Sequence, residues 1–134
     1  MKRRFMVYVV LLIVYMGVIF WISCLPGEQL TPESVLGIII SASVKHVSEY
    51  AILGILMSLV IAQVSNKTLS IIFYSSIFSS CYGILDEIHQ SFVPTRHCTL
   101  VDVYINIIGS MTGVLFYLIL SRYTNKKLKA TGSM

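Results

Sequence analysis

Long apolar stretches separated by short polar connections dominate the chain of 134 residues. Four stretches contain few charges and approach the length of about 20 residues that a helix needs to cross the hydrocarbon core of a bilayer. They lie at about residues 5–25, 44–64, 69–88 and 101–120. The pattern predicts an all-α membrane protein in which a bundle of four transmembrane helices forms a single domain over residues 1–134.

The connections contain signals for where helices begin and end. Pro26 ends the first helix, and "TPE" at 31–33, with Pro32 in the first turn, is a helix-start signal. The residues after it are apolar but too few to cross, so they predict a short interfacial or re-entrant helix over about 32–41. Pro94 ends the third helix, and Thr99 is placed to cap the fourth.

The first apolar stretch has a second interpretation, a cleaved signal peptide, because Lys2, Arg3 and Arg4 precede it. A signal peptide has an apolar core of roughly 7 to 15 residues and a cleavage site of small residues after it. Here the apolar stretch is longer and no such site follows, so we expect a retained membrane helix.

Composition and charge support the membrane interpretation, since 56% of the residues are hydrophobic and 12% are charged. The net charge of +4 would also fit nucleic-acid binding. However, most basic residues fall on one side of a four-pass chain. They are Lys2, Arg3, Arg4, Lys67, Arg122, Lys126, Lys127 and Lys129. The positive-inside rule makes that side cytoplasmic, with both termini inside and the tail near anionic lipid headgroups, and it argues against nucleic acid as a partner.

Polar and ionisable residues gather at the other side, because the second and fourth helices begin there and the third ends there. Their residues are Lys45, His46, Glu49, Tyr50, Asp86, Glu87, His89, Gln90, Arg96, Asp102 and Asn106. A charged residue at the centre of a membrane helix costs roughly 2.5 to 3.5 kcal/mol, and such residues usually have a function. We therefore predict one functional site at the outer membrane face.

The charges of this group do not balance, because Lys45 and Arg96 face four carboxylates. Three alternatives restore neutrality: protonated carboxylates, charged histidines or a bound cation. H-x-x-E at 46–49 and D-E-x-H at 86–89 provide ligands for a divalent metal, which is the less favoured alternative. The cofactor is therefore left open.

Structural roles compete with function at single positions. Asp102, three residues after Thr99, fits a capping box, and Lys45 with Glu49 fits an i, i+4 ion pair. Gly109 and Gly113 form a G-x-x-x-G pattern that lets another helix approach closely.

The three cysteines have no metal-like spacing. Cys24 and Cys98 both lie near the outer surface and would form a disulfide if they meet, whereas Cys81 lies within the third helix. Buried thiols that act as small hydrophobic groups are the ordinary interpretation.

Four motifs occur in an order that resembles the VanZ-like family of small membrane proteins. They are "SCLPG" at 23–27, "KHVSEY" at 45–50, "DEIHQSFVPTR" at 86–96 and "TLVDVYINIIGSMTG" at 99–113. One departure is Thr95, where the family usually has glycine before the arginine. The resemblance points to the same polar residues as the topology, and it implies a bacterial cytoplasmic membrane protein.

The family takes its name from a protein linked to resistance against teicoplanin, a glycopeptide that binds the D-Ala-D-Ala end of cell-wall precursors. The first hypothesis is a binding or shielding role at the outer membrane face, in which the polar site engages a drug, a lipid-linked wall precursor or a partner protein, with Lys45 and Arg96 holding a phosphate or carboxylate. The resemblance leaves the molecular mechanism and the oligomeric state open.

An enzyme acting on an envelope lipid or a lipid-linked precursor is the alternative. In it Asp86 or Glu87 is the general acid or base and His46 or His89 relays the proton. No serine or cysteine nucleophile beside a histidine is evident in the sequence, so activated water would be the nucleophile. A transporter is the third alternative, and it is weaker because the cytoplasmic half of the helices is apolar.

Overall fold

The computed structural model of the protein describes residues 2–26, 35–96 and 99–131. Nearly all of them lie in four α-helices: α1 Lys2–Ser23, α2 Val35–Val64, α3 Thr68–Gln90 and α4 Leu100–Thr131. These residues include no β-strand. Each helix is long and apolar enough to cross a membrane. The prediction of an all-α chain with four membrane-spanning helices is therefore confirmed.

The separate helix predicted over about 32–41 is not found. Residues 35–41 instead form the first turns of α2, and residues 32–34 lie outside the described part of the chain. The physical reason is that no proline lies between Val35 and Val64, and Gly37 alone does not end a helix in an otherwise apolar run. The 30 residues of α2 extend over about 45 Å, so the helix continues beyond its spanning part, Ser43–Val64.

The last helix is also longer than predicted, because α4 continues past residue 120 to Thr131. The segment 121–131 contains lysine, arginine, leucine and alanine, which favour helix, and it contains no glycine or proline. Lysine side chains near a helix C-terminus also interact favourably with the helix dipole. The basic tail therefore continues the membrane helix.

Contacts between helix ends fix the directions of the four helices. The end of α3 meets the end of α1, where Gln90 Nε2 donates to Ser23 Oγ at 3.1 Å. The beginning of the spanning part of α2, Ser43–Val64, meets the first turns of α4, where His46 Nδ1 lies 3.0 Å from Asn106 Oδ1. Asn106 also bonds to Glu87 near the end of α3. Hence α1 and α3 run opposite to α2 and α4, and these residues meet at one end of the bundle, here called the polar end.

Glycines allow α2 and α4 to pack backbone against backbone. A Cβ atom on Gly109 would lie 2.7 Å from the carbonyl oxygen of Val47. One on Gly113 would collide with the carbonyl of Ala51, and one on Gly54 with the carbonyl of Ser110. The close approach predicted from the G-x-x-x-G pattern is therefore confirmed as packing between α2 and α4.

Two apolar clusters fill the rest of the interior. One lies on α1 and α2 and contains Leu12, Ile19, Tyr50 and Leu53. The other contains Ile71, Val114 and Leu118, in the half of the bundle away from the polar end. Large apolar side chains such as Trp21 and Ile119 are exposed on the outside of the helices. An apolar exterior is what contact with lipid requires.

Candidate functional site

A buried chain of hydrogen bonds joins α2, α3 and α4 at the polar end. Asn106 Nδ2 donates to Glu87 Oε1 at 2.8 Å, and Asn106 Oδ1 lies 3.0 Å from His46 Nδ1. His46 Nδ1 is also 3.7 Å from Glu87 Oε1. The Glu87 side chain is only 1% exposed and Asn106 is fully buried. Asn106 therefore bridges a buried carboxyl group and a histidine.

The acceptor character of Glu87 determines the orientation of this chain. Glu87 Oε1 accepts from Asn106 Nδ2, so the amide of Asn106 turns its NH₂ group toward Glu87 and its oxygen toward His46. His46 must then donate from Nδ1. In the neutral ring this leaves Nε2 as the nitrogen that can accept a proton.

A second group of hydrogen bonds surrounds Asp86. The hydroxyl of Tyr50 donates to Asp86 Oδ2 at 2.9 Å, and Gln90 Nε2 donates to the same oxygen at 2.8 Å. Gln90 also reaches Ser23 on α1. Tyr50 is fully buried and Asp86 is 5% exposed, so this carboxyl group is held rigidly between α2 and α3.

The other oxygen of Asp86 differs from the first. Oδ1 is buried and has no hydrogen-bond partner among the described residues. Most buried polar atoms in proteins are hydrogen-bonded, and a buried oxygen without a partner is destabilising. Asp86 therefore has an acceptor that the described part of the chain leaves unused.

Arg96 connects the loop after α3 to the end of α1. Its Nη1 donates to Gln90 Oε1 at 2.9 Å, Nε to the carbonyl of Leu25 at 2.9 Å and Nη2 to the carbonyl of Ile22 at 3.0 Å. Three of the five N–H groups of the guanidinium are thus used within the fold. Arg96 holds α1 against α3 and supports Gln90, which in turn bonds to Asp86.

Six of the predicted residues form a contiguous group around the two adjacent acids, here called the acid cluster. Its members are His46, Tyr50, Asp86, Glu87, Gln90 and Asn106. Gly83 makes room for it, since a Cβ there would lie 3.0 Å from both Tyr50 and Asn106.

The other predicted residues lie beside the acid cluster or away from it. Lys45 is exposed and Glu49 is half-buried, while Arg96 contacts the cluster through Gln90. Asp102 takes part in the N-terminal cap of α4. Its backbone N–H donates to Thr99 Oγ1 at 3.2 Å, and its carboxylate accepts from the same hydroxyl. His89 faces α1, where its ring stacks on Phe20.

The metal hypothesis gains no geometric support. No three His, Cys, Asp or Glu side chains in the described ranges are arranged to hold a metal ion. His46 and Glu87 approach each other, but His89, a further donor of the predicted set, points toward α1 instead. These donors therefore do not fit a metal centre of the predicted kind.

Two contacts at the polar end were not predicted. The Sγ atom of Cys24 lies 3.3 Å from His89 Nε2, a cysteine–histidine pair that is not evident in the sequence. These residues are 65 positions apart, and only the packing of α1 on α3 brings them together. Ser23, which bonds to Gln90, was visible only as part of the "SCLPG" motif. Cys98 lies outside the described residues, so the question of a disulfide between Cys24 and Cys98 lies outside them too.

The fold and the acid cluster together define a small membrane protein with four spanning helices and a buried polar group at one end of the bundle. The sequence model of the VanZ/LLP1 family matches residues 5–121. The chain belongs to this family, as its motifs predicted. Comparisons with curated proteins and with solved structures give no match.

Proposed function

We propose that the protein binds a glycopeptide drug or a lipid-linked cell-wall precursor at the outer face of the bacterial cytoplasmic membrane. Such binding would contribute to glycopeptide resistance, of the teicoplanin type, or to homeostasis of the cell envelope. The observation that carries this proposal is the buried oxygen Oδ1 of Asp86, which has no partner among the described residues. Membership of the VanZ/LLP1 family supports it.

The chemistry of Asp86 selects a ligand that offers a hydrogen-bond donor. Oδ2 already accepts from Tyr50 and Gln90, which hold the carboxylate in place before any ligand arrives. An amide N–H, a hydroxyl or an ammonium group of the ligand would donate a hydrogen bond to Oδ1. Glycopeptides and lipid-linked precursors carry amides, sugars and charged groups. A rigid acceptor also lowers the entropic cost of binding.

Cationic groups beside the acid cluster provide a second point of contact. Arg96 keeps two N–H groups beyond the three that bond to Gln90, Leu25 and Ile22. Lys45 is exposed at the same end of the bundle. These groups would bind a phosphate or carboxylate of the ligand, while Asp86 binds a donor.

The placement of the acid cluster on the outer face is part of the proposal and rests on charge. Arg3 and Arg4 begin α1, Lys67 precedes α3 and Arg122 lies near the end of α4, so all four belong to the end of the bundle opposite the polar end. The positive-inside rule assigns that basic end to the cytoplasm, with both termini inside.

The test is the exchange of one carboxylate for an amide of the same shape. Asp86→Asn keeps an oxygen that can accept from Tyr50 and Gln90, so we expect a folded protein. Binding of teicoplanin and of a lipid-linked precursor to the purified protein in detergent is expected to weaken roughly tenfold or more for whichever ligand is bound, because a hydrogen bond to a charged group contributes about 1.5 to 3 kcal/mol.

The matched control is Asp102→Asn, which also removes one carboxylate but lies in the helix cap. It is expected to leave binding within about twofold, because the Asp102 carboxylate accepts the Thr99 hydroxyl rather than joining the acid cluster. Full binding by the Asp86 variant, or equal losses in both variants, would refute the proposal. In cells, Asp86→Asn should also reduce protection against the drug.

A second candidate is an enzyme that hydrolyses or transfers part of an envelope lipid or lipid-linked precursor, and the geometry of His46 favours it. Its Nδ1 is fixed by Asn106, with the buried Glu87 behind, which is how proteins orient a general base. Nε2 would then take a proton from water, Asp86 or Glu87 would act as acid or base, and Lys45 with Arg96 would stabilise negative charge.

Turnover separates this candidate from binding alone. The purified protein would be incubated with a lipid-linked precursor, and release of product would be followed for the wild type, His46→Ala and Asp86→Asn. Product formed by the wild type and lost in His46→Ala would favour the enzyme. Protection in cells without any turnover would favour binding. Transport is the weakest candidate, because Ile71, Val114 and Leu118 form an apolar cluster in the other half of the interior. The buried polar side chains of the described residues there are serines such as Ser58 and Ser75, which in membrane helices usually serve packing.

A further inference from the structure

A thiol and an imidazole meet at the polar end, on the α1 side of the bundle. Cys24 is the first residue after α1, and its Sγ lies 3.3 Å from Nε2 of His89 in the last turn of α3. The His89 ring stacks on Phe20 with centroids 4.6 Å apart and an angle of 29° between the planes. This stacking holds Nε2 toward the sulfur.

The backbone around Cys24 is held by a cation. The guanidinium of Arg96 donates to the carbonyl oxygens of Ile22 and Leu25, two residues that flank Cys24 in sequence. These carbonyls belong to the C-terminal end of α1, where the partial negative charge of the helix disfavours a thiolate. Arg96 offsets that charge and adds a positive one nearby. A neighbouring histidine and a cation are the features that make cysteines reactive.

Access to the sulfur completes the arrangement. Cys24 is exposed, and it lies just beyond the membrane span Lys2–Ser23. Cys81 is also exposed but lies within the span of α3, among apolar neighbours such as Phe78 and Leu85. The two cysteines therefore differ in surroundings although both are free in the described residues.

We propose that Cys24 and His89 form a reactive thiol site that undergoes exchange with disulfide compounds at the membrane surface. The thiol proton passes to His89 Nε2, and the sulfur attacks one sulfur atom of the disulfide. A mixed disulfide forms at Cys24, the old S–S bond breaks, and the other sulfur leaves as a thiolate. His89 then gives the proton to that thiolate or, when the leaving thiol is acidic, to water. Atoms and electrons balance without any reactant beyond the disulfide and water. The reacting groups include neither Asp86 nor Glu87, and the thiol site shares only the supporting residue Arg96 with the ligand site proposed above.

The test measures how fast one chosen cysteine reacts. Cys81→Ser and Cys98→Ser are combined so that Cys24 is the only thiol, and the purified protein in detergent is mixed with the aromatic disulfide 5,5′-dithiobis(2-nitrobenzoate). Release of the coloured thiolate gives the rate, and intact mass confirms the adduct. Adding His89→Gln is expected to slow the reaction roughly tenfold or more at neutral pH, since a positioned base contributes at least that much.

A reference thiol keeps the proposal testable even if the His89→Gln protein does not fold. Ser91 is exposed in the turn directly after α3, and among the described residues its side chain bonds to the carbonyl of Ile88 and not to a histidine ring. Ser91→Cys in a chain with all three native cysteines changed to serine gives an exposed thiol at the same end of the bundle. Cys24 is expected to react roughly tenfold faster than this reference. If Cys24 reacts no faster than the reference, or if His89→Gln leaves its rate unchanged in a folded protein, the proposal is wrong.

Discussion

Asp86 and Glu87 are neighbours in sequence but bond to different helices. Successive residues of an α-helix point about 100° apart, so two adjacent acids on α3 face different partners. Asp86 meets Tyr50 of α2, and Glu87 meets Asn106 of α4. The pair thereby links α3 to both α2 and α4. This division gives the two carboxylates different tasks, because Glu87 accepts from Asn106 beside His46, whereas Asp86 has an unused oxygen.

Asn106→Ala tests the bridge that Asn106 makes between Glu87 and His46. The change leaves a buried carboxylate without its amide donor, so we expect a loss of about 1 to 3 kcal/mol in the free energy of unfolding. Ile108→Ala is the control, since this exposed side chain of the same helix has no role in the cluster. Unfolding in mixed micelles measures both. A loss for Asn106→Ala no larger than for the control would contradict the assigned bridge.

Thr95 adopts a backbone conformation that suits glycine. Its φ of 64° lies in the left-handed region, where a β-branched residue is strained. The family's usual glycine before the arginine fits this turn, and the turn places Arg96. We predict that Thr95→Gly is more stable than Thr95→Ala by about 1 kcal/mol.

Both Thr95 variants lose the side chain, but only glycine relieves the strain. Thermal unfolding of the two purified variants is the measurement, so any side-chain contact of Thr95 cancels between them. The control is Ser91, whose φ is −62°. There Ser91→Gly should be no more stable than Ser91→Ala. Equal stabilities of the two Thr95 variants would show that this turn carries no strain.

At the scale of helices, the close packing of α2 and α4 determines where the acid cluster lies. Gly113 and Gly109 let the two backbones touch, and Asn106 follows on the same helix toward the polar end. Because His46 and Tyr50 lie on the same part of α2, the packing of α2 against α4 fixes their distance from Asn106. The position of the acid cluster therefore depends on Gly109 and Gly113.

Gly113→Ala tests the close packing of α2 against α4, because a Cβ atom at position 113 would collide with the carbonyl of Ala51. We expect a loss of about 1 to 3 kcal/mol, typical of overpacking. Gly17→Ala is the matched control, since nothing lies within 4 Å of a Cβ there. Alanine favours helix over glycine, so this control should be neutral or gain up to about 1 kcal/mol. Melting temperatures in detergent compare the two, and a Gly113 variant as stable as the Gly17 variant would refute the packing argument.

The helices and the acid cluster differ in how well sequence predicts them. Apolar length alone located four spans, and the alternation of directions brought Tyr50, Asp86 and Asn106 to one end. Helix ends were harder to predict, because no proline lies between Val35 and the predicted span at 44, and α2 therefore begins at Val35. The contact of Cys24 with His89 was not predictable, because it depends on how α1 is rotated against α3. Hydrophobic patterns fix spans and their order, while rotation about a helix axis depends on packing across the whole bundle.

The bundle as a whole has two unlike halves. Toward the polar end, buried side chains are mostly hydrogen-bonded in networks that involve all four helices, through Ser23, Tyr50, Glu87 and Asn106. In the other half, Ile71, Val114 and Leu118 pack together without polar groups in their cluster. A ligand of the acid cluster therefore enters and leaves by the polar end. The side of the membrane on which that end lies decides which ligands it can meet.

Labelling of intact cells tests on which side of the membrane the polar end lies. In a chain without native cysteines, Ser91→Cys places a thiol in the turn at the polar end, and Asn66, exposed in the α2–α3 connection, gives the matched control Asn66→Cys at the opposite end. A maleimide that cannot cross membranes should label the first variant in intact cells and the second only after permeabilisation, because the basic residues predict a cytoplasmic position for the second. The reverse pattern would place the acid cluster in the cytoplasm. It would also remove glycopeptides, which act outside, from the set of candidate ligands.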